Sequence, residues 1–212
     1  MTAQARPRVA VVDTGSGNLR SVEKALAVAG ADAFVTGDPD AVYAADKVVV
    51  PGQGHFGVCA AALGREGGAL RAAVLEQIRA GKSFLGLCVG LQLLFDGSEE
   101  DPSCAGLGII AGSVKKFTVP APLKVPHMGW NACVPGPAAA GSPFAGSADE
   151  TYFYFVHSYY PAPANDRDVA LWSDYGGRFC AAVARDNVFA SQFHPEKSQA
   201  AGLALLSRFI SL

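Results

Sequence analysis

A strong charge of one sign is missing from this chain, and so is any long apolar run. Its 17 lysines and arginines nearly balance 19 aspartates and glutamates, for a net charge of -2 over 212 residues. Nothing in that balance draws the chain to nucleic acid or to an anionic membrane surface. No hydrophobic stretch reaches the roughly 20 residues that cross a bilayer, so no membrane span is expected. Cysteine is sparse: Cys59, Cys88, Cys104, Cys133 and Cys180 are odd in number and include no C-x-x-C pair. That argues against a disulfide framework or a cysteine zinc site and suits a reducing, cytoplasmic setting. Residues 1–8 are polar and lead into an apolar segment, so no secretory signal is expected there. What the chain does have is apolar bulk. Half of its residues are hydrophobic, enough for one substantial core, and residues 1–212 read as a single domain.

Short apolar runs alternate with helical patterns through the first half. Residues 9–12 read as a buried strand, followed by a loop and a helix over about 18–29. Residues 47–50 form a second such strand, 69–80 a helix and 83–87 another strand. Continuous apolar strands separated by helices predict an α/β fold whose central, mostly parallel sheet is flanked by helices. The second half changes character. Segments near 112–117, 123–134, 152–160, 168–173, 179–184 and 188–192 are strand-like and closely spaced, which predicts appended antiparallel strands. Loops rich in Pro and Gly are expected at 97–108 and 135–147, and an amphipathic helix over about 199–210 closes the chain. No internal repeat is present. In open parallel sheets chemistry gathers at the carboxyl ends of the strands, where the loops 13–18 and 51–56 and residue Cys88 all fall.

The sharpest local signal is Gly86-Leu87-Cys88-Val89-Gly90, a cysteine between two glycines after an apolar run and before a helical pattern over 89–95. This is the cysteine form of a nucleophile elbow, a tight strand-to-helix turn that presents its central side chain. Small neighbours are needed because that central residue is strained, and a helix start favours a thiolate. A nucleophile needs a base. Gln192-Phe193-His194-Pro195-Glu196-Lys197-Ser198 supplies His194 at a strand end and Glu196 two residues on, able to orient the imidazole as the third member of a triad does. His55 and His127 lie beside Gly- or Pro-containing turns and His157 in an aromatic run, where a core or loop role is expected. Acyl transfer also needs oxyanion donors. The N–H of Val89 is one, and Pro51-Gly52-Gln53-Gly54 offers another through Gly52. Asp13-Thr14-Gly15-Ser16-Gly17-Asn18 fails the dinucleotide fingerprint because Arg20 stands where a third glycine belongs. No nucleotide site is expected there, and no metal or cofactor is expected overall.

With these motifs assembled, the chain resembles the class I, triad-type glutamine amidotransferases from about Val9 to Phe209. Within them it is similar to the glutaminase subunits of imidazole glycerol phosphate synthase. Those are marked by Pro126-His127-Met128-Gly129-Trp130-Asn131 and Glu196-Lys197-Ser198, and the segments 13–22, 51–56, 86–95 and 155–159 match as well. Thr14 departs from the tyrosine common at its position, and Lys116 from the arginine that often precedes Phe117. The resemblance implies that Cys88 attacks the side-chain amide of glutamine, with His194 as acid and base and Glu196 as its orienter. It also implies that Gly52 belongs to an oxyanion strand and that Gln92, Ser158 and Tyr159 hold the substrate. Asn18, Trp130, Asn131 and Lys197 would face a (βα)₈-barrel cyclase subunit in a heterodimer that receives the ammonia. A free-standing γ-glutamyl hydrolase, the glutaminase of pyridoxal phosphate synthase and a catalytically silent subunit are the competing readings. Weak activity of the isolated chain is expected, because a glycine loop can rest with its N–H turned away.

Overall fold

The computed structural model describes residues 5–146 and 150–212. Residues 1–4 of the polar leading segment, and residue 147 of the expected 135–147 loop, lie outside the described residues. The first half alternates strands and helices, with β2, α2 and α3 beyond those the sequence singled out: β1 (Arg8–Val12), α1 (Leu19–Val28), β2 (Asp32–Thr36), α2 (Pro39–Tyr43), β3 (Lys47–Gly52), α3 (Phe56–Leu63), α4 (Arg65–Arg79), β4 (Phe84–Cys88) and α5 (Val89–Gln92). The second half is strand-rich: β5 (Gly97–Ser98), β6 (Asp101–Ala105), β7 (Gly112–Lys116), β8 (His127–Pro135), β9 (Thr151–His157), β10 (Tyr159–Pro163), β11 (Val169–Asp174), β12 (Arg178–Arg185) and β13 (Val188–Ser191). α6 (Gln199–Ser211) follows.

Among the described residues, nine strands form one sheet in the order β2-β1-β3-β4-β13-β12-β11-β8-β9. From β2 to β13 every pairing is parallel. From β13 outward every pairing is antiparallel, so the antiparallel strands extend the parallel sheet itself. A second sheet runs β10-β7-β5-β6. The parallel strands are apolar on both faces because helices cover both. On β1, Ala10 and Val12 pack into one core with Val42, Leu63 and Val74 from α2, α3 and α4. Val9 and Val11 pack into the other with Val22 and Leu26 of α1 and Leu205, Leu206 and Phe209 of α6. That two-sided burial is what makes those strands unbroken apolar runs.

Several boundaries differ from the sequence expectation, among them the start of α4, at Arg65 and not near 69. The helix after Cys88 spans four residues and does not run on to Phe95, because the carbonyls of Leu93 and Leu94 accept from Leu107 N at 2.7 Å and Ile109 N at 2.8 Å. β8 begins at His127 and not near 123, since Pro120, Pro122 and Pro126 have no N–H for a ladder. The run 152–160 breaks at Ser158, and its halves enter different sheets as β9 and β10. The 97–108 loop contains β5 and β6, two short strands of mainly small and polar residues.

Candidate active site

Cys88 ends β4 with φ 54° and ψ -108°, a left-handed backbone that a side-chain-bearing residue adopts at about 1–3 kcal/mol. Close packing enforces it. A Cβ on Gly86 would sit 2.6 Å from the Gly90 carbonyl oxygen, and one on Gly90 would overlap the Val50 carbonyl oxygen. The two glycines therefore let the elbow press against its own helix and against β3. α5 has only four residues, so the dipole available to Cys88 is small, and side chains must do more of the work.

His194 follows β13 and enters a short 3₁₀ turn, Pro195–Lys197. Its backbone is pinned on both sides: His194 N donates to Tyr154 O at 2.9 Å, and Ser198 Oγ donates to His194 O at 2.6 Å. The imidazole Nδ1 lies 2.8 Å from Glu196 Oε1, with both side chains almost wholly buried. A carboxylate accepts, so Nδ1 carries the proton and Nε2 is left for chemistry. Nε2 and Glu196 Oε2 are buried without a hydrogen-bond partner. Burial disfavours the imidazolium, but the facing Cys88 sulfur and the Glu196 carboxylate outweigh it and raise the His194 pKa above its ordinary value.

Gly52 ends β3 directly opposite Cys88 in the parallel register. A Cβ there would approach Val89 Cβ to 2.9 Å, so the Gly52 backbone and the start of α5 lie side by side next to the thiol. A cavity of about 410 Å³ opens in front, lined by Cys88, Val89, Gln92, Ser158, Tyr159, His194 and Lys197 among others. A narrow gap behind it is bordered by Asn18, Gly52 and Glu196. Seven of the twelve residues singled out in the sequence therefore line the cavity, and three more border the gap, which shares Gln53 and His194 with it. The other two, Trp130 and Asn131, lie on β8. Trp130 is half exposed and packs edge-on to Tyr154, whose ring also carries Lys197 Nζ at 5.9 Å. Asn131 and Asn18 make internal bonds. Asn131 Nδ2 donates to Asp174 O at 2.8 Å, and Asn18 Oδ1 caps α1 by accepting from Ser21 N at 3.3 Å.

Four further groups lie on the cavity side: the sequence places Gln53 in the glycine loop and gives His157 a core or loop role, and it singles out neither Glu100 nor Gln192. Gln53, Glu100 and His157 line the cavity, and Gln192 reaches Cys88 Sγ through Nε2 at 3.6 Å. Glu100 accepts from Phe56 N at 2.7 Å, but it lies in a stretch without a motif. Gln192 sat inside a quoted motif as an ordinary strand residue. His157 and His127 form a buried pair, 2.8 Å apart between Nε2 and Nδ1. Burial pushes His127 down to about 4 and His157 to about 3, which keeps both neutral. A thiol, a buried base with its orienter and a polar, roomy mouth suit acyl transfer from a small polar amide or ester. Among the described residues no three His, Cys, Asp or Glu side chains gather as metal ligands, and no helix is long and apolar enough to cross a membrane.

Residues 10–211 match the family described as Glutamine amidotransferase class-I. The chain is 47% identical to the imidazole glycerol phosphate synthase subunit HisH of Rhodopirellula baltica over 95% of this chain and 96% of that one. It is 48% identical to the HisH subunit of Methanothermobacter thermautotrophicus, over 96% and 98% of the two chains. Among solved structures, a glutamine amidotransferase superposes with a TM-score of 0.71 at 18% identity, covering 96% of this chain and 99% of that one. PurLQS from Thermotoga maritima superposes with a TM-score of 0.70 at 19% identity, covering 98% and 97%. These two likenesses concern the fold.

Proposed function

The chain belongs to the class-I glutamine amidotransferases, and from that premise we propose that it is the glutaminase subunit of an imidazole glycerol phosphate synthase in histidine biosynthesis. The buried His194–Glu196 pair beside the strained Cys88 is the observation that carries this reading. Cys88 passes its thiol proton to His194 Nε2, and its Sγ attacks the side-chain carbonyl carbon of glutamine. The N–H of Val89 and the Gly52 strand receive the oxyanion. His194 then gives its Nε2 proton to the departing nitrogen, and ammonia leaves behind a γ-glutamyl thioester. Water attacks the thioester while His194 takes its proton, and glutamate departs as the Cys88 thiol is restored. Gln92 contacts the substrate, and Ser158 with Tyr159 holds its α-amino and α-carboxylate groups, in a cavity of a size that suits an amino acid.

Ammonia must then reach a second substrate. The partner in this reading is a (βα)₈-barrel cyclase, which uses the ammonia to make imidazole glycerol phosphate and an aminoimidazole carboxamide ribotide. The half-exposed Trp130 and the cavity-lining Lys197, with Asn18 and Asn131 behind them, form the side that meets the barrel in a heterodimer. Residues 1–212 act as one domain in the cytoplasm, without a cofactor. Cys88→Ala tests the chemistry. Glutamate release by the complex falls to background while cyclase binding, read by calorimetry, is retained. Release that survives the substitution would overturn the assignment of the nucleophile.

A further inference from the structure

We propose that Gln192 is a further catalytic residue, whose side-chain N–H holds the Cys88 sulfur while it carries negative charge. The proposal rests on the glutaminase reading above. Gln192 is completely buried, and its Nε2 lies 3.6 Å from Cys88 Sγ, within N–H···S range. Its backbone is fixed as well, with Gln192 N donating to Ala181 O at 2.8 Å.

Hydrogen-bond accounting settles which way round the amide points. The Tyr159 carbonyl can only accept, and two groups converge on it: His157 Nδ1 at 2.9 Å and Gln92 Nε2 at 3.2 Å. Both are therefore donors. The second Gln92 hydrogen goes to Gln192 Oε1 at 3.1 Å, which leaves the Gln192 NH₂ facing the sulfur. The other arm closes consistently. With its proton on Nδ1, neutral His157 accepts at Nε2 from His127 Nδ1 at 2.8 Å, and His127 Nε2 accepts from Asn131 Nδ2 at 3.2 Å. The remaining Asn131 hydrogen goes to Asp174 O at 2.8 Å, and Asn131 Oδ1 accepts from Ala132 N at 2.8 Å. With both histidines neutral and both glutamine amides turned this way, every contact in the chain from Asn131 to Gln192 joins one donor to one acceptor.

The chemistry needs such a donor. Cys88 is 5% exposed, so water cannot solvate its thiolate fully, and an oriented amide dipole takes that place without reorganising. The amide surrenders no proton, which leaves acid and base duty to His194. It acts whenever the sulfur is charged: before attack, and again as the thiolate leaves the glutamyl carbon on hydrolysis.

The test is alkylation of Cys88 by iodoacetamide at pH 7, followed on the Cys88 peptide by mass spectrometry, together with glutamine kinetics of the full chain with its cyclase. Gln192→Met, which removes the donor, is expected to slow alkylation and kcat by about tenfold, the size of one charge-assisted hydrogen bond, with little change in KM. Gln192→Glu, which keeps the size and the Gln92 bond but turns a carboxylate to the sulfur, is expected to slow both further. It carries the test alone if the methionine variant does not fold. Alkylation and kcat within twofold of the unsubstituted chain in a folded variant, or a change in KM alone, overturns the proposal. If the unsubstituted complex releases no glutamate, the glutaminase reading fails, and the alkylation arm still decides the Gln192 contact.

Discussion

At Gly90 a single methyl group has nowhere to go. The Val50 carbonyl oxygen occupies its place, and both backbones belong to elements that hold Cys88 in position. Gly90→Ala is expected to destabilise the chain by about 2–3 kcal/mol, lowering the thermal midpoint by roughly 5–10 °C. Gly37→Ala, where nothing lies within 4 Å of the added carbon, should leave the midpoint within about 1–2 °C. Equal effects at the two positions would show that close packing does not shape the elbow. Both glycines of the elbow were legible in the sequence, and so were Cys88, His194 and Glu196, because each sits in a short contiguous motif. Gln192 and Glu100 were not. Their significance comes from partners 104 and 44 residues away, Cys88 and Phe56, and no local pattern encodes such a pairing.

The elements divide along similar lines. α1 and the buried parallel strands announce themselves through a cap, a 3.6-residue period or an unbroken apolar run. α3 did not, because Phe56–Leu63 is apolar nearly throughout and shows no polar face. β5 and β6 did not, because two- and five-residue strands carry too few residues for alternation to register. The β8–β9 ladder sets His127 opposite His157 in register, and its inner face gives rise to a pH dependence. Both folded-state pKa values lie below the ordinary 6.5, at about 4 and about 3. As pH falls below 6.5 the unfolded chain therefore takes up protons first, and stability is lost until the folded values are reached. His194 acts in the opposite sense. Its raised value favours the fold below 6.5 and releases that contribution only at higher pH. Urea unfolding between pH 7 and pH 5 should thus show stability falling by at most about 1.4 kcal/mol per pH unit for His157. His127→Phe should flatten the slope. Stability constant over that range would contradict a neutral buried pair.

For the molecule as a whole, the parallel half of the sheet brings three loops to one edge, and the antiparallel half ends in β8 and β9, with Val156 and His157 of β9 lining the same cavity. The alternation of apolar runs and helices made that architecture readable. The continuation of one sheet through both halves was not, because strand order depends on pairings between distant segments. The 51–54 loop is tied at two points: Thr14 Oγ1 donates to Pro51 O at 3.1 Å, and Cys59 Sγ reaches Gln53 O at 4.0 Å. Gly54, with φ 94° and open space around its α-carbon, is the point of that loop where a peptide can turn, and a partner that prefers the turned state would shift the balance. The central claim is that this chain is a glutaminase switched on by its cyclase. The most direct test is the rate of glutamate release from glutamine by the pure chain, alone and then with the barrel cyclase and its nucleotide ligand. The account predicts a low rate alone that rises by about tenfold or more in the complex, within the range of ordinary coupling energies. A high rate in the isolated chain that the partner leaves unchanged, or no glutamate in either condition, would contradict it.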